Sequence, residues 1–141
     1  MGKNSEKLHN ATLAQLRKYL EAGKQIANKK KVVFDEYCFL YATPKDRTPQ
    51  KIEFLKNALG HLEDTVRTSK WEYDSLAKCL IAYIDFMETK WKLGKRGGTL
   101  PEHRIHCEVL LKQVNDLAVP HRIVINDISK LASDIRVFLG K

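Results

Sequence analysis

The stretch TPQKIEFLKNALGHLEDTVRT, Thr48 to Thr68, decides the fold class. Its apolar residues Ile52, Leu55, Leu59, Leu62 and Val66 recur at steps of three and four, and only an α-helix brings that spacing onto one face. Thr48 is suited to the N-cap and Pro49 to the first helical position, where its missing N–H costs nothing.

The same periodicity extends in both directions. Upstream, Leu13, Leu16, Leu20, Gly23 and Ala27 form a stripe opened by Thr12 with Gln15, the spacing of a capping box. Val32 to Ala42 follows, with Phe34, Tyr37 and Tyr41 at helical spacing; its aromatic and β-branched residues also suit a strand, but an isolated strand has no sheet to join. Thr43-Pro44 stops that segment, because the residue before proline is pushed out of the α region.

Downstream, Ser69 with Glu72 reads as a second capping box and opens a helix along Tyr73, Leu76, Leu80, Tyr83 and Met87, widened by Cys79, Ile84 and Trp91. Lys95 to Gly98 reads as a loop, and Thr99 with Glu102 around Pro101 as a third cap. Cys107, Leu110, Val114 and Leu117 make the next stripe, Pro120 marks a break, and Val124, Ile128, Leu131, Ile135 and Phe138 complete the chain. The expected fold is all-α, a compact bundle of five to six antiparallel helices at about 12–29, 32–42, 48–68, 70–93, 100–117 and 120–139, forming one domain over residues 1–141.

Composition narrows the function classes. With 7 glycines and 4 prolines in 141 residues there is little material for the turns of an all-β fold. No stretch approaches the ~18 charge-free residues of a membrane span, and Met1 to Asn10 lacks the apolar centre of a signal peptide, so a soluble protein is expected. The 3 cysteines, Cys38, Cys79 and Cys107, lie in apolar stripes and read as buried, reduced thiols rather than disulfides. A reducing cytoplasm follows as the expected location, that of the producing cell or of a cell the protein is delivered into. The net charge of +8 is concentrated in residues 1–50, which carry +5 of it, and favours anionic partners without choosing among them.

Two basic clusters are candidate anion-binding residues: Lys90, Lys92, Lys95 and Arg96 around the glycine-rich loop, and the run Lys29, Lys30 and Lys31. Nucleic acid or an anionic membrane surface would suit them, although solvated surface lysines are the simpler reading. Trp91, Trp71, Tyr19 and Phe39 are candidate anchors for a protein partner, since aromatic residues dominate interface hot spots. His103, His106 and Cys107 present metal-binding atoms along one helix, with His121 as a possible fourth. A structural zinc site would add a second paired motif, and none is present, so surface histidines beside a buried cysteine are favoured and no metal or other cofactor is expected.

Arg96 and His103, with six residues between them, resemble the Arg/His pair of HEPN-type ribonucleases, which are helical bundles of about this size. The resemblance covers those two residues alone. It implies RNA cleavage with Arg96 on phosphate and His103 as acid and base. Gly97, Gly98 and Pro101 place the pair across a loop instead of along a helix, and a glycine follows the arginine where the family commonly has a polar residue.

No GxxxxGK[ST], GxGxxG, GxSxG or HExxH occurs, so phosphate loops, dinucleotide sites, nucleophile elbows and zinc-protease helices lack their required residues. The expected function is therefore a non-enzymatic helical interaction module for a protein partner, acting through a helical groove or the basic loop face. Binding of an anionic ligand through that loop is the alternative. Oligomeric state is not legible: a heptad-like helix packs equally well within its chain or against a second copy.

Overall fold

The computed structural model describes residues 3–22, 24–97 and 101–141, with side chains described at 6–22, 24, 26, 28–89 and 105–141. Among the described residues the regular elements are all helical: α1 (Lys3–Glu21), α2 (Lys24–Ala42), a 3-10 turn (Pro44–Asp46), α3 (Pro49–Gly97) and α4 (Pro101–Phe138). The expected five to six helices are thus four. Segments 48–68 and 70–93 are one helix, segments 100–117 and 120–139 are another, and the first junction lies between Glu21 and Lys24 rather than near residue 30.

Each merger has a physical cause. Across the expected stop at Thr68, α3 keeps a seven-residue spacing through Leu55, Leu62, Ser69, Leu76 and Tyr83, all buried. Ser69 is one rung of that ladder, 2% exposed, and not a cap. Thr12 is likewise no cap: it lies inside α1, fully buried, with its hydroxyl donating to the Leu8 carbonyl at 2.9 Å. The polar residues read as closing those two boxes bond to each other, Gln15 Nε2 donating to the Glu72 carbonyl at 3.1 Å and to its carboxylate at 2.5 Å. Pro120 sits inside α4 on an exposed position. Lacking an N–H, it cannot supply the usual helical donor to the carbonyl of Asp116, an exposed residue one turn back.

The proline-directed boundaries are where the sequence puts them. α2 stops at Ala42, before Thr43-Pro44. Arg47 closes that end, donating from Nε to the Leu40 carbonyl at 2.8 Å and from Nη2 to the Tyr41 carbonyl at 3.1 Å, so a cation satisfies the orphan acceptors of the last turn. α3 opens at Pro49 with Thr48 Oγ1 accepting from the Lys51 N–H at 3.3 Å.

The described residues cluster into two units, each with its own core. Unit 1 comprises Met1–Glu21 and Trp71–Pro120. There α1 supplies Leu16 and Tyr19, α3 supplies Leu76, Tyr83 and Met87, and α4 supplies Leu110, Val114 and Ala118. The pairs Gln15–Glu72 and His9–Tyr83 show α1 antiparallel to α3. Unit 2 comprises Ala22–Lys70 and His121–Lys141. Its core takes Ile26, Val33 and Leu40 from α2, Leu55 to Leu62 from α3, and Ile125 to Ile135 from α4.

Several stripe positions face the other way from the sequence reading. Leu117 is 45% exposed while its neighbour Ala118 is buried, and Val124 is exposed while Ile125 is buried. In α2 the inner line is Ile26, Val33 and Leu40, so Phe34 and Tyr41 point outward. The cysteines are free, but not buried as expected: Cys38 is exposed, and Cys79 and Cys107 are half-buried. Burial, then the carboxylates of Glu108 and Glu88, push the Cys107 thiol above its ordinary value, which keeps it protonated and unreactive.

Tyr83 is fully buried in unit 1, and its hydroxyl has no hydrogen-bond partner among the described residues. Burial, then the nearby Cys107 thiol, raises its phenol above the ordinary value of 10.0. The folded chain therefore holds this proton to higher pH than the unfolded chain, and stability falls as pH rises past 10.0. Tyr83→Phe is expected to be neutral or to stabilise by about 1 kcal/mol at neutral pH, since an unpaired buried hydroxyl is removed without a change of shape. It should also flatten the alkaline decline. A clear loss of stability in urea titration would show that the hydroxyl is bonded after all.

Candidate functional site

One candidate surface of unit 2 lies along the flank where α2 meets α3. Val32, Glu36 and Phe39 follow one another at i, i+4 and i+7 on α2, a spacing that aligns them on one side of a helix. Gln50, Lys51 and Phe54 stand across from them on the first turns of α3. Val32, Glu36, Gln50, Lys51 and Phe54 line a shallow depression of about 350 Å³. Val32 is 61% exposed and Phe54 42%. Lys51 Nζ sits 4.8 Å from the centroid of the Phe39 ring, so the cation covers part of an aromatic face and extends the patch toward Phe39.

The local fold explains why these side chains are outside. Val33 and Leu40 fill the core from the adjacent face of α2, and a helix packed on one side leaves the residues just beside that stripe partly open. The end of α2 is fixed independently. Tyr37 meets Phe138 edge-on at 5.7 Å, and the Arg47 guanidinium lies 4.7 Å over the same ring while bonding the α2 carbonyls. A patch set on a held helix end presents its side chains with little ordering left to do.

Among the anchors expected from sequence, Phe39 belongs to this patch and is 44% exposed. Trp71 is 76% exposed on unit 1. Tyr19 is 2% exposed, with its ring 5.5 Å from that of Tyr73, so it packs the core of unit 1 and is not a surface anchor. Trp91 lies outside the described side chains.

In the basic run, Lys29 and Lys31 are exposed, whereas Lys30 is half-buried and pairs with Asp127 at 3.5 Å. The side chains of Lys90, Lys92, Lys95 and Arg96 lie outside the described residues, as does that of His103, so the loop cluster and the ribonuclease-like pair have no described geometry. His106 is exposed and Cys107 half-buried. Among the described residues no three histidine, cysteine or acidic side chains converge as metal ligands. Among the described residues, no helix is long and apolar enough to cross a membrane.

Sequence reading missed Val32 and Phe54 as surface residues. The available signal was the seven-residue line Ile26, Val33 and Leu40, which claims the inner face of α2 and displaces Val32 and Phe39 to its edge. Comparison with protein-family models, curated proteins and solved structures finds no match for the chain.

Proposed function

We propose that the protein is a non-enzymatic helical bundle module that binds a helical segment of a partner protein along the α2/α3 flank of unit 2. The observation that carries this reading is the exposed apolar patch of Val32, Phe39 and Phe54 around the depression, bordered by one anionic and one cationic side chain, Glu36 and Lys51. Large apolar side chains held open in one place mark interaction surfaces, and a groove between two helices takes an amphipathic helix by its i, i+3 and i+4 anchors. Glu36 and Lys51 then fix the direction of the incoming helix by charge.

The test is affinity purification with the full chain as bait, in parallel with Phe54→Glu and with Lys78→Glu, a control that makes twice the charge change on an exposed site of unit 1. A stoichiometric protein retained by the parent chain and by Lys78→Glu, resistant to high salt and lost with Phe54→Glu, supports the reading. Loss on burying a charge in a hot spot is expected to exceed ~2 kcal/mol, or about 30-fold in affinity. Partners that persist with Phe54→Glu, or that wash away with salt alone, would overturn it. Light scattering on the same samples identifies a second copy of this chain as the occupant.

A further inference from the structure

A second recess of unit 2, on the side formed by α3 and α4, has a different chemistry. Its rim carries Glu63, Arg67 and Lys70 from α3 and Ser129, Ser133 and Arg136 from α4, with Val66 and buried Ala132 beneath, enclosing about 380 Å³. Three cations against one carboxylate give the lining a formal charge of +2. Spacing makes them converge: Glu63, Arg67 and Lys70 lie at i, i+4 and i+7, and Ser129, Ser133 and Arg136 repeat that pattern on the facing helix.

We infer that this recess binds a small phosphomonoester dianion. The lining charge matches its two negative charges, the two guanidinium groups offer paired donors suited to phosphoryl oxygens, and the serines add hydroxyl donors. Val66 and Ala132 leave an apolar floor for the organic substituent. The cations are available. Lys70 has no ion-pair partner among the described residues, Arg67 holds Asp64 at 2.9 Å in an exposed i, i+3 pair, and Arg136 holds Glu63 in another open pair. Exposed pairs of this kind contribute little, so an arriving phosphoryl group displaces them readily, and Glu63 acts as the internal competitor for Arg136.

That competition gives the test its sign. Calorimetric titration of the full chain with phenyl phosphate at low salt should show one site. Lys70→Gln and Arg136→Gln should each weaken it on the order of 10-fold, the loss of one charge-assisted contact. Glu63→Gln should tighten it by about 3- to 10-fold, because Arg136 is released and the lining gains charge. Lys45→Gln, which removes the same charge from the exposed 3-10 turn of unit 2, should change it less than ~2-fold. Benzoate, with the same ring and a single charge, should bind at least ~10-fold more weakly. Inorganic phosphate separates a need for the ester group from recognition of the phosphoryl group alone; binding by either probe supports the site. No binding of either probe overturns the inference. So does an equal loss with Lys45→Gln and Lys70→Gln, or a Glu63→Gln variant that binds no tighter than the parent.

Discussion

Truncation of Leu62 to alanine should lower the unfolding free energy by about 3–4 kcal/mol, and Leu117→Ala by less than ~1 kcal/mol. The two leucines look alike in sequence, each occupying an apolar stripe at helical spacing. In the structure Leu62 is fully buried among α2, α3 and α4, whereas Leu117 is 45% exposed. Removing a buried isopropyl group forfeits both its transfer from water and the contacts now lost around the cavity left behind. Removing an exposed one changes little, and alanine's better helix propensity recovers part of it. Urea denaturation of both variants decides the matter. Equal losses would mean that Leu117, and not Ala118, faces inward.

Pro120→Ala should stabilise the protein, by about 2 kcal/mol. A proline within a helix costs roughly 3 kcal/mol relative to alanine, through the lost hydrogen bond and the clash with the preceding turn. Replacing it also frees the unfolded chain, which returns about 0.4–1 kcal/mol of that gain. The sign of the result is diagnostic. If Pro120 separated two helices, as its position in the sequence suggests, only the unfolded-state effect would remain and alanine would destabilise slightly. Because α4 runs unbroken from Pro101 to Phe138, the midpoint of denaturation should move up, with an unchanged dependence on denaturant concentration.

The contrast between Pro120 and the prolines at 44 and 49 shows what is legible in the sequence. Pro44 and Pro49 act on the backbone within a residue or two, and the helix boundaries beside them are readable locally. Pro120 obeys the same local rule, but is overruled by buried residues on both sides of it, Ala118 and Ile125. The false capping boxes fail for a related reason. A serine or threonine three residues before a glutamate or glutamine is an ambiguous signal, because the same polar groups serve contacts between helices. Gln15 and Glu72 are 57 residues apart in the chain, and no local pattern announces their bond. Ser69 misled in the same way: the leucine rows before and after it share one seven-residue spacing, and a small polar residue on one rung hid the continuity.

The candidate sites were less legible than the helices. Lysine runs and tryptophans stand out in sequence. The α2/α3 patch and the phosphate recess instead depend on residues from segments far apart, such as Arg67 with Ser133. Which flank of a helix stays open is fixed by its packing partners, and those are absent from any window of the chain. Residue type alone does not separate Phe39, which is exposed, from Tyr19, which is core.

Because residues 22–70 are inserted between the two pieces of unit 1, and residues 71–120 between the two pieces of unit 2, the order of synthesis matters. α1 leaves the ribosome well before Leu110, Val114 and Ala118, the residues that complete its core. Its Leu16 and Tyr19 wait for the translation of Leu76 and Tyr83 before they are partly covered, and for some hundred further residues before the α4 side chains close over them. Neither core is complete until α4 is made, so a nascent chain halted before that helix carries only half-assembled hydrophobic surfaces, the condition in which a chaperone is most needed.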